Sequence, residues 1–155
     1  MRNTNLLIRP FVASDQHAAR RLILLGLGEH FGFIDETCNP DIDDIFAHYL
    51  ASGQTFLVAK MDGLLVGTGA LLREDAQTGR IVRMSVARDL RRKGIAQALM
   101  ARLMDAARER GFTRLVLETT VGWDDAIGFY QRCGFREYAR ADGETHMALD
   151  LVEDA

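Results

Sequence analysis

Apolar residues recur along this chain with two alternating periods, and each change of period marks a new element. Leu6-Leu7-Ile8 opens a run that reads as a strand over 5–9, closed by Pro10. Ala18, Leu22 and Leu25 then keep helical spacing, which predicts a helix over 14–27 with Ser14 or Asp15 as its cap. Gly26, Gly28 and Gly32 interrupt that pattern, and 33–40 reads as a loop ending at Asn39-Pro40. Ile42, Ile45, Phe46, Tyr49 and Leu50 share one face of a second predicted helix, 41–52, stopped by Ser52-Gly53.

From there the period shortens. Runs at 55–60 and 64–72 flank Met61-Asp62-Gly63, and Asp-Gly between apolar runs is hairpin chemistry. A third run, 80–86, follows a turn at Thr78-Gly79, so three strands are expected to meander antiparallel. Ile95, Leu99, Leu103, Ala106 and Ala107 form one stripe of a helix over 95–110, with Gly111 suited to its C-terminal cap. A strand over 114–119, a helix over 124–133 ended by Gly134, and a last hairpin joining 135–140 to 145–151 through Asp142-Gly143 complete the chain. The order is β-α-α-β-β-β-α-β-α-β-β. The strand–helix–strand unit over 80–119 requires a parallel pair with a right-handed crossover. The predicted fold class is therefore α/β, a mixed sheet flanked by helices, in one domain over 1–155.

Composition narrows the partners. The 155 residues are 48% hydrophobic and carry a net charge of -3, which argues against a general attraction to nucleic acid. No apolar run approaches the roughly 20 residues of a membrane span. The run after Met1 is too short for a signal peptide. A cytoplasmic protein without a membrane or nucleic-acid partner is expected. Cys38 and Cys133 lack metal-ligand spacing and read as reduced thiols, and no metal is expected.

The informative chemistry lies between 85 and 97. A strand ends, Arg91-Arg92-Lys93 follows, and a helix begins at Gly94-Ile95-Ala96-Gln97. The first amides of a helix lack internal partners, and the helix dipole is positive there, so a phosphate fits such a turn. Gly94 and Ala96 leave it room, and the basic residues supply countercharge. Taken alone, the same residues also describe a solvated charge run. Against that, cations at a helix N-terminus oppose the dipole by about 0.3–1 kcal/mol each. A Walker loop and a dinucleotide-binding GxGxxG turn are both missing.

Arg91-Arg92-Lys93-Gly94-Ile95-Ala96 resembles the Gln/Arg-x-x-Gly-x-Gly/Ala signature of the GNAT superfamily of acyl-CoA N-acyltransferases. The preceding Ile81-Val82-Arg83-Met84-Ser85-Val86 resembles that family's fourth strand. The segment from Ala126 through Phe129-Tyr130 to Gly134-Phe135 resembles its second signature, Ala-x-x-Phe/Leu-Tyr-x-x-x-Gly-Phe. The order of elements agrees along essentially the whole chain.

The resemblance implies acetyl transfer from acetyl-CoA to a primary amine of a small molecule or protein. In this reading Arg91, Arg92, Lys93, Gly94, Ile95, Ala96 and Gln97 hold the cofactor pyrophosphate. Met84, Ser85 and Val86 pair with the pantetheine arm, and the Met84 or Val86 amide stabilises the oxyanion. Tyr130 protonates the leaving thiolate, or else packs in the core with Ala126 and Phe129. Trp123 stands where many relatives have asparagine; it either covers the cofactor arm or packs at the helix start. Arg80 stands where several relatives have a glutamate base. Glu118, Glu29 and His30 are then the base candidates, beside a base-free route. Glu29, His30 and Phe31 open an acidic, aromatic stretch reaching Asp41, Asp43 and Asp44. In relatives this region shapes the acceptor pocket, and Asp41 is equally a helix cap. Relatives are often dimers, so a homodimer is among the arrangements implied. The competing functions are a non-catalytic acyl-CoA-binding module on the same fold and nucleic-acid binding through 88–93.

Overall fold

The computed structural model describes residues 5–31, 39–120 and 123–151. Its strands are β1 (Leu6–Pro10), β2 (Thr55–Met61), β3 (Leu64–Arg73), β4 (Thr78–Val86), β5 (Arg114–Thr120), β6 (Arg136–Ala141) and β7 (Glu144–Asp150). Its α-helices are α1 (Gln16–Phe31), α2 (Ile95–Glu109) and α3 (Asp124–Arg132). The strands form one sheet in the order β1-β2-β3-β4-β5-β7-β6. The two Asp-Gly hairpins form as expected, with Asp62 and Gly63 at φ 53° and 82° and Asp142 and Gly143 at 54° and 79°. Positive φ at both central residues matches the twist of the flanking strands.

The parallel pair is short, and its shortness organises the molecule. Thr78, Gly79 and Arg80 pair with Arg114, Leu115 and Val116. Beyond that point β4 continues to Val86 and β5 to Thr120 without further pairing to each other, so the sheet opens between them as a wedge.

Strand alternation divides the core between the two faces of the sheet. Leu57 and Ala59 of β2 pack with Ile95, Leu99, Met100, Leu103 and Ala107 of α2. Phe56 and Val58 point the other way, to Ala19, Ile23 and Leu24 of α1 and to Ile42, Ile45 and Tyr49. Helix α2 comes close to β3 because β3 offers glycine beneath it. A Cβ on Gly67 would stand 2.9 Å from Leu99 Cδ1, and one on Gly69 2.7 Å from Met84 Sδ and 2.9 Å from Leu103 Cδ1. This contact fixes the first turn of α2 relative to β4.

Four expectations need correction. Helix α1 runs through Gly26 and Gly28 to Phe31 rather than stopping at 27. Gly26 serves a close approach instead, since a Cβ there would stand 3.1 Å from Ser85 Oγ on β4. The second helix is not one α-helix. Pro40–Ile42 forms a 3-10 turn and Phe46–Leu50 a wide π turn, in which Ala51 N donates to Phe46 O. The reason is Gln16, whose amide inserts at the break: its Nε2 donates to Ile42 O (2.7 Å) and its Oε1 accepts from Ile45 N (2.9 Å). Asp41 does not cap a helix, because its carboxylate is engaged elsewhere. Thr78-Gly79 is not a turn but the start of β4, where Gly79 makes room for Leu71 and Phe112.

Adding one methyl at Gly69 is expected to overpack the α2–β3 contact. Gly69→Ala should cost about 1–3 kcal/mol, read as a lower denaturant midpoint at unchanged m-value.

Candidate active site

The site begins at a bulge in β4. Pairing with β3 shifts register between Thr68 and Ala70, and Arg83 adopts the left-handed backbone at φ 56°. A bulge bends its strand and raises its twist. The parity of the strand changes with it: Ile81 and Met84, three apart, both face the α2 core. Two sets of contacts hold Arg83. The buried Thr68 hydroxyl donates to its carbonyl at 2.7 Å. Its guanidinium grips Asp41 through Nε–Oδ2 (2.9 Å) and Nη2–Oδ1 (2.6 Å), and Nη2 also reaches Asn39 Oδ1 at 3.1 Å. The Tyr49 hydroxyl donates to Asp41 Oδ2 at 2.5 Å.

The ion pair is mostly buried, with side-chain exposures of 19% for Arg83 and 16% for Asp41. Burial opposes ionisation of Asp41, but the bonds from Arg83 and Tyr49 outweigh it and hold the carboxyl below its ordinary range. Tyr49 moves the other way: burial first, then the bond to a carboxylate, push its phenol well above its usual value.

Past the bulge, β4 presents a free edge. Ala87 N donates to Val66 O on β3. The Val86 carbonyl, on the opposite side of the same peptide, therefore faces the wedge. The N–H of Val86 and of Met84 share that direction, since alternate residues of a strand present their backbone groups to the same side. Met84 is packed against the core beneath α2, Val86 is buried, and Ser85 lies under Gly26 of α1.

The basic turn follows. Arg88–Leu90 makes a 3-10 turn, Arg92 takes φ 65° and Gly94 takes φ 85° at the N-cap of α2. The first helical bond is Ala98 N to Gly94 O, and no side chain caps the helix. The N–H groups of Ile95, Ala96 and Gln97 thus have no helical partner. A Cβ on Gly94 would meet nothing within 4 Å, so the space beside this glycine is open. Arg91 turns inward: its Nε donates to Val86 O (3.2 Å) and its Nη2 to Glu29 Oε2 (2.5 Å). Arg92 and Lys93 are exposed, and Arg92 Nη2 lies 3.7 Å from Asp125 Oδ2 at the start of α3.

On α3, Tyr130 is half-buried between Phe129 and Phe135, with ring centroids 5.3 and 5.9 Å away. Burial, and then Cys133 beside it, push its phenol above the ordinary value. Both effects disfavour the phenolate, so the proton stays on the oxygen. Trp123 is the half-buried N-cap residue of α3, its N–H donating to Thr120 O. Cys133 is half-buried against the α2 core, and burial raises its thiol. Cys38 lies outside the described residues.

The base candidates fall in two places. Glu29, His30 and Phe31 belong to the last turn of α1, not to a loop, and Glu29 pairs with Arg91; the side chains of His30 and Phe31 lie outside the described residues. Glu118 of β5 pairs with Arg80, which also grips Glu74 at 2.7 and 3.0 Å. His146 of β7, opposite Glu118, places Nδ1 3.8 Å from Glu118 Oε2. Sequence reasoning missed His146, Thr68 and the Arg83–Asp41–Tyr49 network, because each depends on strand register or on a contact across the fold. Among the described residues no group of three His, Cys, Asp or Glu side chains is placed to hold a metal. No helix there is long and apolar enough to cross a membrane.

The open amides at Gly94, the exposed basic pair and the free edge of β4 fit the pyrophosphate and pantetheine arm of a coenzyme A. Residues 11–135 match the sequence model of the Acetyltransferase (GNAT) family. The chain belongs to that family. A mouse protein named probable N-acetyltransferase family 8 member 5 is 37% identical over 123 residues, covering 74% of this chain and 54% of that protein. An uncharacterized N-acetyltransferase, YjgM of Escherichia coli K12, is 32% identical over 110 residues, covering 69% and 66%. Among solved structures, a GNAT acetyltransferase of Staphylococcus aureus superposes with a TM-score of 0.87 at 25% identity, over 95% of this chain and 99% of that one. The GNAT chain described here spans about half the length of the first curated relatives it matches.

The Asp41–Arg83 pair gives a stability test. Asp41→Asn leaves a mostly buried guanidinium uncompensated and should cost about 3–5 kcal/mol at neutral pH. Because the Asp41 carboxyl is held low in the folded state, its contribution is present above the ordinary aspartate value and is lost as pH falls through the lowered one. The gap between wild type and variant should therefore close in acid, measured by urea unfolding across pH.

Proposed function

We propose that the chain is an acetyl-CoA-dependent N-acetyltransferase, acting on a primary amine of a small molecule or protein by direct attack in a ternary complex. The observation that carries this reading is the joining of two vacancies in hydrogen bonding: the free edge of β4 runs directly into the uncapped first turn of α2.

Acetyl-CoA supplies an activated thioester, and the residues of this chain do the rest. The amides of Ile95, Ala96 and Gln97 take pyrophosphate oxygens, aided by the dipole of α2 and by Arg92 and Lys93. Gly94 lets the phosphate approach. Met84, Ser85 and Val86 present strand edge to the pantetheine amides, and an N–H of Met84 or Val86 meets the negative charge developing on the carbonyl oxygen. Arg91 acts indirectly, holding the end of β4 and the end of α1 to the turn. Tyr130 donates its proton to the leaving sulfur. The deficit such a thiolate would otherwise carry makes this proton worth about 100-fold or more in rate. Trp123, the N-cap residue of α3, covers the arm.

A second reading, a non-catalytic acyl-CoA-binding module, has one supporting observation: the position of the usual carboxylate is Arg80, and Arg80 occupies Glu118. Release of free thiol from acetyl-CoA across a panel of amines separates the two, since both bind the cofactor and only the transferase turns over.

Gly94→Glu puts a side chain and a negative charge into the open space at the turn. Binding of coenzyme A, followed by calorimetry, should be lost, while the left-handed backbone at this position costs the folded variant about 1–2 kcal/mol; normal affinity would remove the turn from the site. Tyr130→Phe should lower kcat by about 100-fold or more and leave the coenzyme A Kd unchanged. Equal turnover in that variant would take Tyr130 out of the acid role.

A further inference from the structure

Three side chains from three adjacent strands meet on the α1 face of the sheet, at the point where β4 and β5 part. Arg80 lies in the last parallel pair, opposite Val116. Glu118, two residues on along β5, points to the same face and accepts from Arg80. His146 pairs with Glu118 in the antiparallel register of β5 and β7, and its Nδ1 faces Glu118 Oε2 at 3.8 Å.

Resting on the transferase reading above, we propose that His146 is the general base of acetyl transfer, that Glu118 orients it, and that Arg80 fixes Glu118. Glu118 itself is poorly suited to take the proton, because the guanidinium of Arg80 engages its carboxylate, and Arg80 is in turn anchored by both oxygens of Glu74. His146 has the complementary arrangement. Nδ1 faces a carboxylate oxygen that orients the ring, and Nε2 is the nitrogen assigned to the acceptor. The side chain is 26% exposed, so part of it is open to solvent. Among the described residues, Tyr138 from β6 also faces it, with its ring centroid 6.1 Å away, and Arg80 reaches the same Glu118 carboxylate from β4. The gap of 3.8 Å exceeds a hydrogen bond, as is common for catalytic pairs before substrate binds.

The proton and electron balance closes. Neutral His146 takes a proton from the acceptor ammonium at Nε2 and frees the nitrogen lone pair. The C–N bond forms at the thioester carbonyl carbon as the C–S bond breaks, and the sulfur takes the Tyr130 proton. The second proton leaving the nitrogen restores Tyr130 through water, and the imidazolium discharges to solvent. One ammonium and one thioester become one amide, one thiol and one released proton.

The test compares wild type, His146→Gln and Glu118→Gln as full chains, using the amine that wild type turns over fastest. His146→Gln should lower kcat about 100-fold or more and keep the coenzyme A Kd. Glu118→Gln, acting only through His146, should lower kcat less at an unchanged Kd, and the double variant His146→Gln/Glu118→Gln should be no slower than His146→Gln alone. If His146→Gln unfolds, His146→Ala assayed with added imidazole replaces it, and recovery of rate supports the assignment. A His146 variant that is folded and keeps its rate, or an alanine variant that imidazole does not rescue, overturns the base while leaving the transferase standing. Absence of turnover by wild type with every amine overturns both.

Discussion

A non-glycine residue in the left-handed region is unfavourable by about 1–2 kcal/mol, and Arg83 is held there because both its ends are tied. Thr68 takes its carbonyl and Asp41 its guanidinium. From that one residue the geometry of the site follows. The bulge turns β4 away from β5 after only three parallel pairs, exposes the backbone of Met84 and Val86 to the gap, and rotates the Met84 side chain into the core under α2. A regular β4 would keep pairing with β5 and would close the slot that an extended ligand needs.

The two faces of the sheet then converge on this strand. From one side α2 settles onto the glycines of β3, which places its uncapped amides at the open end of the wedge. From the other, α1 uses Gly26 to lie over Ser85. The helices are joined by Arg91, which bonds to Val86 and to Glu29 together. Asn39 and Asp41, within the stretch expected to shape the acceptor pocket, both bind the bulge residue. A change at either therefore has a short mechanical route to the edge of β4.

Much of this was legible in the chain, and what was not has a common physical cause. Local signals worked where the determinant is local: the Asp-Gly hairpins, the stripe of α2 and the two signatures around Gly94 and Tyr130. They failed where a distant side chain decides. Gln16 breaks the second helix from 26 residues away, and Asp41 is diverted from capping by Arg83, 42 residues on. Gly26 and Gly79 read as punctuation, yet each marks a close approach of another element. The meeting of Arg80, Glu118 and His146 is invisible without the register of two strand pairs, one parallel and one antiparallel.

The charge argument at the turn also changes in kind. Three cations at a helix N-terminus pose an electrostatic conflict that an anion would relieve. In the fold Arg91 is met by Glu29, so part of that conflict is settled inside the protein. The case for a phosphate site therefore rests less on positive side chains than on backbone: three helical amides without helical partners, a left-handed glycine with nothing in front of it, and no side-chain cap. Side-chain charge at an exposed site is screened by salt and worth little. Oriented amides at a helix start are fixed by the fold, and α2 is fixed by the packing of Leu99 and Leu103 on β3. The proposed hold on a pyrophosphate is thus tied to the core, through the same glycines that let the helix down onto the sheet.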